Sequence, residues 1–196
     1  MSDLPASAFD PAAFGPTVAA LLAVPRQAPL GPGSPNLAMR PRLEALTPEE
    51  VFAPRRVTDT DAARACLAGL WLYHDFLDES HSLSQELHTA EGSYWHGLMH
   101  RREPDFSNSK YWFRHVGTHA VFEPLCADAA KLAAGAPPQA AFLTRQIHWD
   151  PFAFIDLCEA SHTGRTPCAM LCRQIQQREW ELVFDHCYQA ASGQGH

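Results

Sequence analysis

Ten of the sixteen prolines in this chain fall before residue 55, and that uneven placement divides it into two unlike parts. Proline fixes φ and removes a backbone donor. The run from Pro25 to Pro41, with Gly31-Pro32-Gly33-Ser34-Pro35-Asn36 at its centre, therefore cannot hold regular structure. It is expected to form an extended arm flanked by short helices. Asp10 before Pro11 reads as an N-cap and first helical residue leading towards Leu22, and Thr47-Pro48-Glu49-Glu50 has capping-box spacing. The proline-rich N-terminal arm, residues 1–57, is expected to wrap either the body of the molecule or a second copy, giving a homo-oligomer.

Beyond Thr58 the breakers thin out and apolar residues recur at helical spacing. The pattern predicts a long helix from about residue 60 into the high 70s, bending at Ser80-His81-Ser82 and continuing to His88. A helix capped by Ser93 should end near Arg102, because Pro104 disfavours helical geometry at Glu103. Further helices are expected over 108–116, stopped by Gly117, and then up to Ala134, ended by Gly135. Asp150-Pro151 should open another to about His162, closed by Gly164, and Thr166-Pro167 a last one to about Ala190. No segment alternates with the period of a strand. The expected fold class is all-α: a single compact multi-helix domain, the helical body 58–196, behind the arm.

At 196 residues and 46% hydrophobic content the chain can bury one substantial core. No run approaches the roughly 20 apolar residues of a membrane span, and the Met1 end lacks the basic flank of a secretory signal, so a cytoplasmic protein is expected. The net charge of −7 opposes general nucleic-acid binding, which needs a basic excess. Six cysteines without CxxC spacing are read as buried free thiols, Cys168 and Cys172 alone being placed to share a helix face.

Eleven histidines are many for this length, and seven of them lie between His74 and His119. On a helical wheel Leu67, Leu70, Trp71, His74, Asp78 and His81 share one arc, so a stripe that begins apolar turns ionisable. His96, Met99 and His100 share a side of the next helix, with Glu103 beside them if the helix persists. Glu159 and His162 sit next to Ile155 and Cys158, and Glu179 and His186 interrupt the last apolar stripe. Burying such groups costs several kcal/mol or so unless they are paired or bind metal. His81, His96 and His100 are accordingly the candidate ligands of a divalent metal ion, with Asp78, Glu159, His162 and Glu179 as further candidates. The carboxylate-x-x-His pairs Asp78/His81 and Glu159/His162 partly resemble those of di-iron carboxylate bundles of the ferritin-like class. One pair begins with Asp, however, the helix order differs, and the lone carboxylates would have to be Glu103 and Glu179.

The densest segment runs from Ser93 to His115 and combines aromatics with every polar type used in recognition. His96, His100, Glu103 and Asp105 are candidate general acids and bases for catalysis. Arg101, Arg102, Asn108, Trp95 and Tyr111 are candidate substrate contacts, through guanidinium forks, a helix start and stacking rings. The same residues also suit a structural reading, in which Arg101 or Arg102 pairs with Glu103 or Asp105 while the aromatics fill the core. With Leu77-Asp78-Glu79-Ser80-His81 before it, the segment resembles a family of uncharacterised bacterial proteins over roughly residues 65–122, a resemblance that implies no activity.

Glycine patterns for nicotinamide or P-loop binding are absent, as is GxSxG. The expectation that remains is a small-molecule enzyme, metal-dependent if the histidines converge, hydrolysing or isomerising a polar, phosphorylated or sugar-like compound. Its rival is a non-catalytic ligand-binding protein with an Arg/aromatic pocket.

Overall fold

A computed structural model describes residues 9–193; the first eight residues of the expected arm and the last three of the body lie outside it. The described residues form an all-α single domain of ten α-helices and three 3-10 turns, with no strand.

The N-terminal part is built as its capping signals require. Asp10 caps a 3-10 turn, Pro11–Phe14, and helix α1 follows at Pro16–Leu21. After the extended segment come α2, Arg40–Glu44, and α3, Pro48–Phe52, the latter opened by the Thr47/Glu50 capping box. The extended segment between α1 and α2 lies on this chain's own body. Gly31 and Pro32 present their carbonyls to Arg102, Arg173 donates to the Gln27 carbonyl and Gln176 to that of Pro29. Phe52 stacks on Tyr188 at 4.4 Å between ring centroids, and the Tyr188 hydroxyl donates to the Phe14 carbonyl, which fastens this end to the C-terminal helix.

The body comprises α4 (Thr60–Tyr73), α5 (Leu77–Ser84), α6 (Ala90–Arg102), α7 (Phe106–Val116), α8 (Phe122–Leu132), α9 (Pro151–His162) and α10 (Ala169–Ala191). Helix α10 packs against α4, α8 and α9, and α6 packs against α4, α5 and α7. Two glycines set how close α6 lies to its neighbours. A Cβ on Gly69 would meet the Trp95 ring at 2.7 Å, and one on Gly97 would meet Phe113 at 2.8 Å. The α6–α7 contact is sealed by Ser109, whose hydroxyl donates to the Gly97 carbonyl.

The expected long helix does not exist as one piece. It stops at Tyr73, turns at Asp75, whose φ is +62°, and restarts at Leu77 as α5. No bend occurs at Ser80-His81-Ser82, which lie inside α5. The physical reason is tertiary. The Asp75 carboxylate is buried and receives Arg26 and Arg102, each at 2.5 Å, from the arm and from the end of α6. Gly33 must pass against that carboxylate, since a Cβ there would come within 2.7 Å of it. Thr89 rather than Ser93 caps α6, its hydroxyl accepting from the Gly92 N–H.

Replacing Asp75 by Ala leaves the Arg102 guanidinium, 3% exposed, buried without a counter-charge. The expected cost is about 3–5 kcal/mol, measurable as a lowered urea midpoint. A variant as stable as the parent would show that the clamp does not hold the break between α4 and α5.

Candidate metal centre

Helices α5 and α6 bring together His81, His96 and His100, with one potential ligand atom from each lying within 4.8 Å of the others. His96 and His100, four residues apart, stack on the same face of α6 with centroids 4.8 Å apart, and His81 meets their edges from α5 at 4.6 and 5.4 Å. Trp112 of α7 lies flat on the His96 ring at 3.8 Å between centroids. His96 is 2% exposed and its Nδ1 has no hydrogen-bond partner.

Burial favours the neutral form of the two rings on α6. Burial, reinforced by His100 and His81, pulls the His96 imidazole down to about 3. Burial also lowers His100, against the opposing pull of Glu103. The Glu103 carboxylate lies 3.0 Å from His100 Nδ1, so Nδ1 carries the proton and Nε2 keeps its lone pair. Asn108 Nδ2 donates to that lone pair at 3.0 Å. A carboxylate on one nitrogen is how metal-bound histidines are oriented, and an ion taking Nε2 would have to displace the Asn108 amide.

A second cluster joins Glu91, His119 and His186 from the start of α6, the turn before α8, and α10. Glu91 Oε1 lies 3.3 Å from His186 Nε2 and 3.7 Å from His119 Nε2, and these two histidines hold the Glu91 carboxyl well below its ordinary range. The tautomer differs here. His119 Nδ1 accepts from the Val121 N–H at 3.2 Å, so the neutral ring carries its proton on Nε2, the nitrogen facing Glu91. That arrangement turns the proton towards a carboxylate 3.7 Å away, beyond hydrogen-bond reach, and leaves His119 no lone pair for an ion. This grouping has no signature in the sequence, because its members are spread over 95 residues and share no helix.

Several expected site residues are employed elsewhere. Arg101 is buried against Glu179 at 2.5 Å, with the Tyr94 hydroxyl on the same carboxylate, so neither Arg101 as a substrate contact nor Glu179 as a metal ligand reaches the histidines. Arg102 is consumed by Asp75 and the arm carbonyls. The arginines do form ion networks, but with Glu179 and Asp75 rather than Glu103 or Asp105. Trp95 is wholly buried against Gly69 and stacks on nothing from solvent. Asp105 caps α7, accepting from the Asn108 N–H, and that bond lowers its pKa, so it is a helix cap rather than a base. Glu159 pairs with Arg165, and His162 lies exposed near Gly31 and Phe106; both are outside the histidine cluster. His74 is buried beside Asn36, and burial, then Arg26, brings it down to about 4. Tyr111 is half exposed on α7 beside Trp112. The cysteines are buried and free, and Cys172 bonds with Ser161.

The openings differ as well. The cavity bordered by Arg101 and Arg102 measures about 20 Å³, room for one water. An open cleft of about 490 Å³ runs instead between the arm and α5, lined by Asp75, Phe76, Leu77, Asp78, Glu79, Arg40 and Glu103. Glu103 thus faces both the cleft and His100. No family model, curated protein or solved structure matches the chain.

An imidazole depressed by folding gains its proton only when the chain unfolds, between the ordinary value of 6.5 and its folded value of about 3. The unfolded state then binds more protons, so His96 makes stability fall as pH drops below about 6.5. Urea melts from pH 7 to 4 should show this decline, and His96→Gln should make it shallower. A His96 ring that titrates near its ordinary value by NMR would contradict the burial argument.

Proposed function

We propose that His81, His96 and His100 hold a divalent transition metal ion and that the protein is a metal-dependent enzyme acting on a small polar molecule through the adjoining cleft. The observation that carries this reading is the convergence of three histidine ligand atoms within 4.8 Å, two of the rings being buried and pulled towards their neutral, ligating form. Metal–nitrogen bonds of about 2.1 Å imply a ligand–ligand edge of roughly 3.4 Å, so the cluster needs only a small contraction to close on an ion. Three imidazoles suit zinc, copper, iron or nickel better than calcium or magnesium.

Such an ion keeps a position for water or substrate and supplies Lewis acidity, which serves hydrolysis or isomerisation of a polar compound. Glu103 orients His100 by holding its Nδ1 proton, and from the rim of the cleft it is placed to take or return a proton of bound substrate. The Trp112 ring shields one face of His96 and fixes its plane. A phosphorylated substrate loses its expected anchors, because Arg101 and Arg102 are committed to carboxylates. Sugar-like and other polar compounds remain. The buried free thiols suit the reducing cytoplasm, and the net charge of −7 suits a small-molecule ligand over a nucleic acid.

Untagged protein reconstituted with zinc and passed through a desalting column should retain one ion per chain by elemental analysis. The double variant His96→Ala/His100→Ala should lose it while keeping the helical circular dichroism of the parent, and His119→Ala/His186→Ala should keep it. Failure of the parent to hold zinc, cobalt or nickel, or retention by the first double variant, would overturn the assignment.

A further inference from the structure

Helix α7 runs back along α6 in a register that gives each histidine of that helix its own cover. His96 and His100 are four residues apart on α6, and Asn108 and Trp112 are four apart on α7, so each pair occupies one helix face. The pairing is antiparallel. Trp112, the later of the two in the chain, meets His96, and Asn108 meets His100. The Ser109 bond to the Gly97 carbonyl fixes this register between the two contacts.

The two covers touch their rings in different ways. Trp112 lies on the face of the His96 ring, inclined by 16°, and leaves its Nδ1 without a partner. Asn108 engages a ring nitrogen instead. With the proton held on Nδ1 by Glu103, Nε2 is the one His100 atom that an ion can take, and it is the atom to which Asn108 Nδ2 donates at 3.0 Å. The Asn108 side chain is free of any other duty in the start of α7. That helix is capped through the Asn108 backbone N–H, which donates to the Asp105 carboxylate, so side-chain rotation withdraws the amide without undoing the cap.

We propose that Asn108 is a gate on the histidine site: its amide holds the His100 lone pair until an ion displaces it, which makes the ion exchangeable. This rests on His81, His96 and His100 being the metal ligands. His100 is 6% exposed, and a buried acceptor without a donor is costly, so the amide supplies the partner that the ring needs whenever no ion does. An ion taking Nε2 gives up that bond. The gate therefore acts in opposite directions on fold and on affinity, stabilising the protein without metal and weakening its hold on metal. A residue with a structural role alone would, on removal, lower stability without tightening the site.

The test titrates chelator-stripped, full-length protein with zinc against a chromophoric competitor, beside Asn108→Ala, a substitution that suits a helix and retains the N–H used by the cap. The variant should bind zinc about fivefold more tightly, the weight of one ordinary hydrogen bond, and should show a lower urea midpoint than the parent without metal. In the parent, with no substitution made, the Asn108 side-chain NH2 resonances should move as zinc is added. The gate falls if Asn108→Ala binds zinc no more tightly than the parent, or if those resonances stay in place while zinc binds. Equal zinc binding by both proteins removes the gate and leaves the metal reading standing. Zinc binding by neither overturns the metal reading, and the gate with it.

Discussion

The buried clamp of Asp75 between Arg26 and Arg102 decides where everything else in this molecule points. Asp75 sits in the left-handed region, where a non-glycine residue is uncommon and is retained only if its surroundings hold it there. Two guanidiniums supply that hold. Their effect is to end α4 and redirect the chain so that α5 packs on α6. Without the turn, α4 would run straight on and carry His81 about 1.5 Å further along the axis with each residue. The site is therefore a consequence of an ion network that contributes no atom to it.

The clamp also explains the arm. A segment of this composition has no internal reason to be ordered, and its order comes from polar partners on the body. Arg102 meets the arm carbonyls with one edge of its guanidinium and Asp75 with the same fork, so one buried cation satisfies backbone acceptors and a carboxylate together. Gly33 is needed at this crossing for its missing Cβ and its φ of +78°. The cleft is the space left where the arm crosses in front of α5.

What the sequence made legible follows from the range of the forces involved. Caps and stops are local: the Thr47 capping box, the Asp150-Pro151 start, and the glycines at 117 and 164 lie where their chemistry places them. Adjacent His96 and His100 could be paired from spacing alone, and the turn from α5 happened to leave His81 within reach. The break at Asp75 could not be read, since the residues around it are compatible with helix and the cause lies 49 residues back, at Arg26, and 27 residues ahead, at Arg102. The partners of Arg101 and Arg102 were hidden for the same reason. Glu179 did stand out as a polar residue in an apolar stripe, but an interrupted stripe shows only that compensation is needed, not whether a metal or an arginine provides it.

That ambiguity is narrowed by asking which buried polar atoms are left without partners, and among the described residues these include His96 Nδ1, Arg101 Nη1 and His119 Nε2. Helix α6 is buried along most of its length and carries polar side chains on several faces. Arg101 is answered by Glu179 and by the Phe154 ring 4.9 Å away, and Arg102 by Asp75. His100 is answered on Nδ1 by Glu103 and on Nε2 by the Asn108 amide. His96 Nδ1 is answered by nothing, although the ring is fixed flat against Trp112 and faces two further imidazoles. In the Glu91 cluster the carboxylate meets His186 at 3.3 Å, the Val121 N–H takes the His119 lone pair that an ion would need, and His119 Nε2 stands 3.7 Å from Glu91 without a hydrogen bond. Two clusters of similar composition are thus set apart by their surroundings, and the one that contains the unpartnered His96 Nδ1 is the one joined through Glu103 to the open cleft.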